Sequence, residues 1–142
     1  NLKYDAKNLK INSLVLIILA IVDTVIMIGQ IMAEQLSVEK IMELANTTQQ
    51  IAEISIAAFI GASSVVFLVT LFIGIMGLRQ ADGKFKGKAN IVLAEIMLVI
   101  NILLAAVGIY GLIKGSNEFS SVCQSVIYFA FYYAYIRCAK NV

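Results

Sequence analysis

The chain has 142 residues, of which 61% are hydrophobic and only 14% charged. Its net charge is +2 and its mean hydropathy +0.90. A water-soluble domain carries about 25% charge, so this chain has too little polar surface to cover itself in water; a soluble enzyme, a disordered tail and a nucleic-acid module are excluded.

The first apolar stretch covers about residues 11–33 and follows an arm holding Lys3, Lys7 and Lys10. It is too long for a signal-peptide core and has no small-residue cleavage site. The chain begins at Asn1 rather than Met, so further residues can precede it. A connection over 34–50, EQLSVEKIMELANTTQQ, is the one sizeable extramembrane piece and is expected to be partly helical. Ser37 can cap a helix there, with Val38, Ile41, Met42 and Ala45 on one apolar face and Glu39, Lys40 and Glu43 turned away. That helix is expected either to lie at the membrane interface or to extend the next membrane helix outward. Asn46-Thr47-Thr48 matches the N-glycosylation acceptor pattern, which is short and often accidental.

A second stretch covers 51–78 and ends in a basic inner loop, 79–89, with Asp82-Gly83 as a tight turn. The third covers 90–113. Gly115 reads as a helix stop and Ser116 or Asn117 as the next cap. The fourth covers about 119–138; its strictly apolar part, from Ser121 to Ile136, is short against the roughly 20 residues a bilayer needs. It crosses if it borrows Phe119 and Cys138, and otherwise lies re-entrant or interfacial.

Charge orders these segments. The arm, the 79–89 loop and the C-terminal tail (Arg137, Lys140) together hold nine basic residues; the other side holds only Lys40 and Lys114, with Glu34, Glu39, Glu43, Glu53 and Glu118 on or near it. This positive-inside bias predicts an all-α, polytopic membrane protein. Residues 1–142 form a single domain of four transmembrane helices in an up-down-up-down bundle, with both termini cytoplasmic. Richness in Ile, Lys and Asn points to a bacterial cytoplasmic membrane.

Polar residues at depth are the candidate functional groups. Asp23 lies thirteen residues beyond Lys10, and Asn101 thirteen beyond Lys88. Both are then about 20 Å deep on a helical rise. Gln124 lies thirteen residues before Arg137, and Ser64 fifteen before Arg79. Asp23, Ser64, Asn101 and Gln124 are therefore expected in one intramembrane polar layer, each helix giving one. Expected inward faces are Asn12, Leu16, Leu19, Asp23, Met27 and Gln30 on the first helix, and Ala57, Gly61, Ser64, Gly74 and Gly77 on the second. The third offers Asn90, Ala94, Asn101, Ala105 and Gly108; the fourth offers Ser121, Gln124, Tyr128, Tyr132 and Tyr135.

A carboxylate at bilayer centre costs about 2.5 to 3.5 kcal/mol on insertion scales. Asp23 is therefore expected either to carry its proton or to meet a cation or a basic residue of another subunit. Glu95 is a shallower acid in the inner leaflet, able to reach the basic loop or Tyr132. Tyr128, Tyr132 and Tyr135 are either packing or the wall of an aromatic groove.

There is no His, the commonest metal ligand and proton shuttle. Cys123 and Cys138 stand fifteen positions apart, about 22 Å along a helix and beyond disulfide reach. No catalytic residue, metal or cofactor is expected. The leading expectation is a non-catalytic accessory or scaffold subunit of a larger membrane complex. Its partners are the lipid bilayer and other membrane subunits, or copies of itself, and no nucleic acid. The alternatives are a small proton- or cation-coupled transporter or channel subunit using Asp23, and a lipid- or quinone-binding subunit.

Overall fold

A computed structural model of the chain describes residues 2–33, 37–115 and 119–142. Among these residues there are five helices and no strand: α1 (Leu2–Met32), α2 (Val38–Ala45), α3 (Gln49–Ala81), α4 (Ala89–Ile113) and α5 (Phe119–Asn141). The all-α class is thus observed. The Ser116 or Asn117 cap expected from the sequence lies outside the described residues, as do Glu34 and Glu118.

The helices outrun the apolar stretches that predict them. α1 takes in the lysine arm, and α3 continues to Ala81, inside what reads as the basic loop. The physical reason is that an apolar run marks the hydrocarbon core, whereas a helix continues until something breaks it. The chain has no Pro, so no residue removes a helical donor from within. Glycine does the stopping. Gly83 has φ +76°, Gly83 N donates to Gln80 O at 3.1 Å and Lys84 N to Arg79 O at 2.8 Å. That pair of bonds is a Schellman cap, which needs a left-handed residue where only glycine is unstrained. Gly115, φ +75°, follows α4 in the same left-handed conformation, with its N–H on Leu112 O at 3.1 Å.

Three helices are long and apolar enough to cross a membrane: Lys3–Met32, Gln49–Ala81 and Ala89–Ile113. α5, at 23 residues, is shorter than these but still reaches the roughly 20 residues a bilayer needs. Its serines, Gln124, Arg137 and Lys140 dilute its apolar character, so length and composition alone do not make it a span.

By their contacts the residues divide into two compact units, Asn1–Ile17 with Leu71–Val142, and Ile18–Thr70. In the first unit α4 and α5 form an antiparallel hairpin. Its register shows where Gly108 faces Val122 and where Glu95 meets Lys140. The start of α1 runs antiparallel to the end of α3, with Ile17 against Gly74, Ser13 against Gly77 and Lys10 near Asp82. The core holds Leu9, Leu16, Ile73, Ala94, Met97, Tyr132, Tyr135, Ile136 and Ala139. A Cβ on Gly77 would collide with Ser13 Oγ and the Tyr135 ring, and one on Gly74 with Ile17. Small residues here let the helices approach closely.

The second unit holds the rest of α1, α2 and the first part of α3. Ser37 caps α2 by accepting Lys40 N at 3.2 Å, and Asn46 ends it in the left-handed region at φ 52°. Thr47 and Thr48 then separate α2 from α3. α2 is thus a helix of its own rather than an extension of the next one. Val38, Ile41 and Met42 are half-buried, as the amphipathic pattern predicts, while Ala45 is exposed.

Large apolar side chains cover the outside of the long helices, Val25, Val65, Leu68, Leu103 and Val107 among them. In water such a surface would drive association; in lipid it is the expected exterior. The glycine contacts make a prediction. Gly77→Ala lowers stability by about 1–3 kcal/mol, the cost of overpacking. Gly61→Ala, where nothing lies within 4 Å of the added Cβ, does not. Thermal unfolding of the two variants in detergent checks both.

Candidate functional site

The four polar groups expected in one layer are divided between the two units, Asn101 and Gln124 in the first, Asp23 and Ser64 in the second. Asn101 is buried in the first unit and donates from Nδ2 to Met97 O, one turn back, at 2.8 Å. Gln124, in the same unit, is exposed. Ser64, in the second unit, is exposed, and its Oγ donates to Ile60 O at 2.8 Å. Asp23, also in the second unit, is half-buried. Serine and asparagine satisfy themselves on their own helix whenever a carbonyl one turn away is in reach. Equal depth along separate helices does not supply a bond.

The inward faces fare unevenly. On α4, Asn90, Ala94, Asn101 and Gly108 are buried as expected, with Ala105 half-buried. On α3, Gly74 and Gly77 are buried, but Ala57, Gly61 and Ser64 are exposed. The buried face of α1 is Leu9, Ser13, Leu16 and Ala20. Of the expected face, Leu16 is thus buried, but Asn12, Leu19, Asp23 and Met27 are only half-buried and Gln30 is exposed; around Leu16 the buried stripe runs through Ser13 and Ala20 instead of Asn12 and Leu19.

The buried polar chemistry gathers elsewhere, at the basic end of the first unit. Gln80, Asn90, Tyr135 and Ser13 are each buried. Gln80 Nε2 donates to Ala139 O at 2.8 Å. Asn90 Nδ2 donates to Gln80 Oε1 at 3.0 Å and to Tyr135 OH at 2.7 Å. Tyr135 OH donates to Ile73 O at 2.7 Å, and Ser13 Oγ donates to Leu9 O at 2.7 Å. The direction of these bonds follows from donor and acceptor counting. A backbone carbonyl can only accept, so the Gln80 amide must turn its nitrogen to Ala139. Its oxygen then faces Asn90, which must answer with its own nitrogen. Tyr135 receives that nitrogen's second hydrogen and passes its own to Ile73. One oxygen is left over: among the described residues no donor reaches the buried Asn90 Oδ1.

This junction ties α3, α4 and α5 together through side chains, with Ser13 of α1 against Gly77 beside it. The helix period could have located it. Ile73, Gly77 and Gln80 stand at i, i+4 and i+7, so a helix continued one residue past Arg79 puts Gln80 on the glycine face. Reading residues 79–89 as a loop leaves Gln80 off that face, and on α1 the sequence pattern marks Asn12 rather than its neighbour Ser13.

The tyrosines expected as a possible groove are mostly interior. Tyr132 and Tyr135 have no exposed surface, so they pack inside rather than wall an open groove. Tyr128 is half-buried and stacks on Tyr132, ring centroids 6.2 Å apart. Glu95 is placed by an ion pair: Lys140 Nζ lies 2.9 Å from Glu95 Oε1, both side chains about half exposed. Lys10 and Asp82 form a looser pair at 3.8 Å. Solvent-exposed pairs of this kind contribute about 0.2–1 kcal/mol each. Both cysteines are free thiols. Among the described residues no group of His, Cys, Asp or Glu side chains could hold a metal ion.

Set beside known proteins, the chain matches no family model, no curated protein and no solved structure. The reading of its function therefore rests on its own geometry. The junction carries a prediction of its own. Tyr135→Phe strands the second Asn90 hydrogen and costs about 1–3 kcal/mol. Tyr133→Phe, on the exposed side of α5, stays within about 0.5 kcal/mol of wild type. Thermal melts of both in one detergent make the comparison.

Proposed function

We infer that the protein is a non-catalytic integral membrane subunit that associates with other membrane helices as an accessory or scaffold component of a larger complex. The observation that carries this reading is where small and polar side chains stand on the outside of the helices. On α3, Ala57, Gly61 and Ser64 are exposed at i, i+4 and i+7, and on α5 Gln124 is exposed. Lipid tails give such positions neither a hydrogen bond nor close packing. A neighbouring helix gives both, because small residues let backbones approach and polar ones bond across the contact. The second unit's Asp23, half-buried on a membrane-capable helix, is an anchor of the same kind.

The bundle crosses the bilayer four times, with both termini on the cytoplasmic side of the cell membrane. The nine-to-two distribution of basic residues supports that orientation. The packing of α5 along α4 supports the fourth crossing, since its buried tyrosines have their partners on helices that are themselves membrane-capable.

Native-detergent purification followed by mass spectrometry tests the association. A stoichiometric membrane partner, or a defined oligomer, is expected from wild type. Gly61→Leu with Gln124→Leu should release it without lowering the melting temperature of the chain itself. Asp23→Asn should leave membrane insertion intact, and ion flux in reconstituted vesicles should sit at background for wild type and variant alike. A wild-type flux abolished by Asp23→Asn would replace this reading with a proton- or cation-coupled path. Accessibility tags on the two chain ends should report the same side of the membrane; opposite sides would remove the four-crossing arrangement.

A further inference from the structure

We propose that the Glu95–Lys140 pair and the shallow groove beside it form a binding site for a glycerophospholipid with a primary-amine headgroup, of the phosphatidylethanolamine type. The groove runs along α4 and is lined by Val92, Glu95, Ile96, Val99 and Ile100. Among the described residues that line it, Glu95 alone is polar. Lys140 reaches it from α5, at 2.9 Å. Seven residues separate Lys88 from Glu95, which places the pair about 10 Å along the helix from the basic end. The groove continues from there towards Ile100, deeper into the apolar part of α4. A headgroup at the pair therefore sends its acyl chains along Ile96, Val99 and Ile100.

The pair selects the headgroup by charge and by hydrogen count. A carboxylate offers about four acceptor positions and an ammonium three donors, so one mutual bond leaves most of both unspent. Each side chain is about half exposed, so the unspent positions can be reached from outside the protein. Arg137 is exposed on α5, three residues before Lys140, and shares its side of the helix. A lipid phosphate bonds Lys140, with Arg137 in support, while the lipid ammonium donates its N–H groups to Glu95. A choline headgroup has no N–H to give. An anionic glycerol headgroup meets Lys140 but offers the Glu95 carboxylate no cation. The match is therefore to a zwitterion that keeps its N–H donors. The inference rests on α4 and α5 lying in the bilayer and on no protein partner.

Native mass spectrometry of the full chain, titrated separately with palmitoyl-oleoyl phosphatidylethanolamine, -choline and -glycerol, tests it. The ethanolamine lipid should give a one-to-one adduct several-fold more abundant than either of the others. Glu95→Gln should erase that preference and bring the glycerol lipid to the top. Val99→Trp, at an exposed groove position, should lower the ethanolamine adduct several-fold without moving the melting temperature. Should Glu95→Gln fail to fold, the N-methylated series of ethanolamine lipids decides on wild type: binding should fall stepwise as N–H donors are lost. Equal adducts across the three headgroups, a preference that survives Glu95→Gln, or a flat methylation series would overturn the site. Carbonate washing separates the underlying premise: a chain released from membranes fails the bilayer reading itself, whereas one retained with flat headgroup ranking fails this site alone.

Discussion

Two backbone carbonyls, Ile73 O and Ala139 O, set the order of the polar junction. Because each can only accept, every side-chain amide and hydroxyl between them has one allowed orientation. The chain of bonds from Gln80 through Asn90 to Tyr135 is therefore directional. Buried polar groups outside water are costly unless bonded, and a network with one allowed arrangement also fixes one packing. Gly77 makes the arrangement possible, since any Cβ there would displace Ser13 and the Tyr135 ring. The close approach of backbones and the polar relay are thus one feature, and loss of either undoes the other.

That junction sets a small polar cluster within a mainly apolar core. The exterior of the long helices is largely aliphatic, while amides and hydroxyls close on one another inside the first unit. In lipid there is little hydrophobic gain from bringing helices together, so packing and hydrogen bonding must hold them. The ionic groups follow the same logic at lower stakes. Glu95 and Lys140 pair at 2.9 Å across α4 and α5, with both side chains about half exposed.

Much of the architecture is legible in the residues. Unbroken apolar runs and the lack of Pro mark the long helices, Asp82-Gly83 and Gly115 mark two of their ends, and Ser37 marks the start of α2. Helix faces read well on α4, where Asn90, Ala94, Asn101 and Gly108 share a buried stripe. They read poorly on α1, because aliphatic residues surround the whole helix and the pattern has no contrast. A polar residue is then the only guide, and Asn12 and Ser13 point to faces about 100° apart. Depth is the other weak coordinate. Counting residues from Lys10, Lys88, Arg79 and Arg137 places four polar groups at similar levels, but a level is not a contact. Ser64 and Asn101 turn back to their own helices. Bond direction, the feature that organises the junction, is invisible in sequence because it depends on which carbonyl happens to face Gln80.

The division of polar groups between inside and outside bears on what the protein is for. Within the first unit the fold satisfies nearly all of its buried hydrogen-bonding groups by itself, so the exposed Gln124 adds nothing to that closure. Ser64 is likewise settled on Ile60 O and is not needed to hold its own helix in place. Residues of this kind on a lipid-facing surface weaken insertion slightly and gain nothing from lipid in return. Under the association proposed above, a neighbouring helix covers them. A transport path would instead require polar groups that line a continuous interior route. Among the described residues, the buried relay of the first unit, from Ala139 O to Ile73 O, ends on a backbone carbonyl at each side and contains no acid.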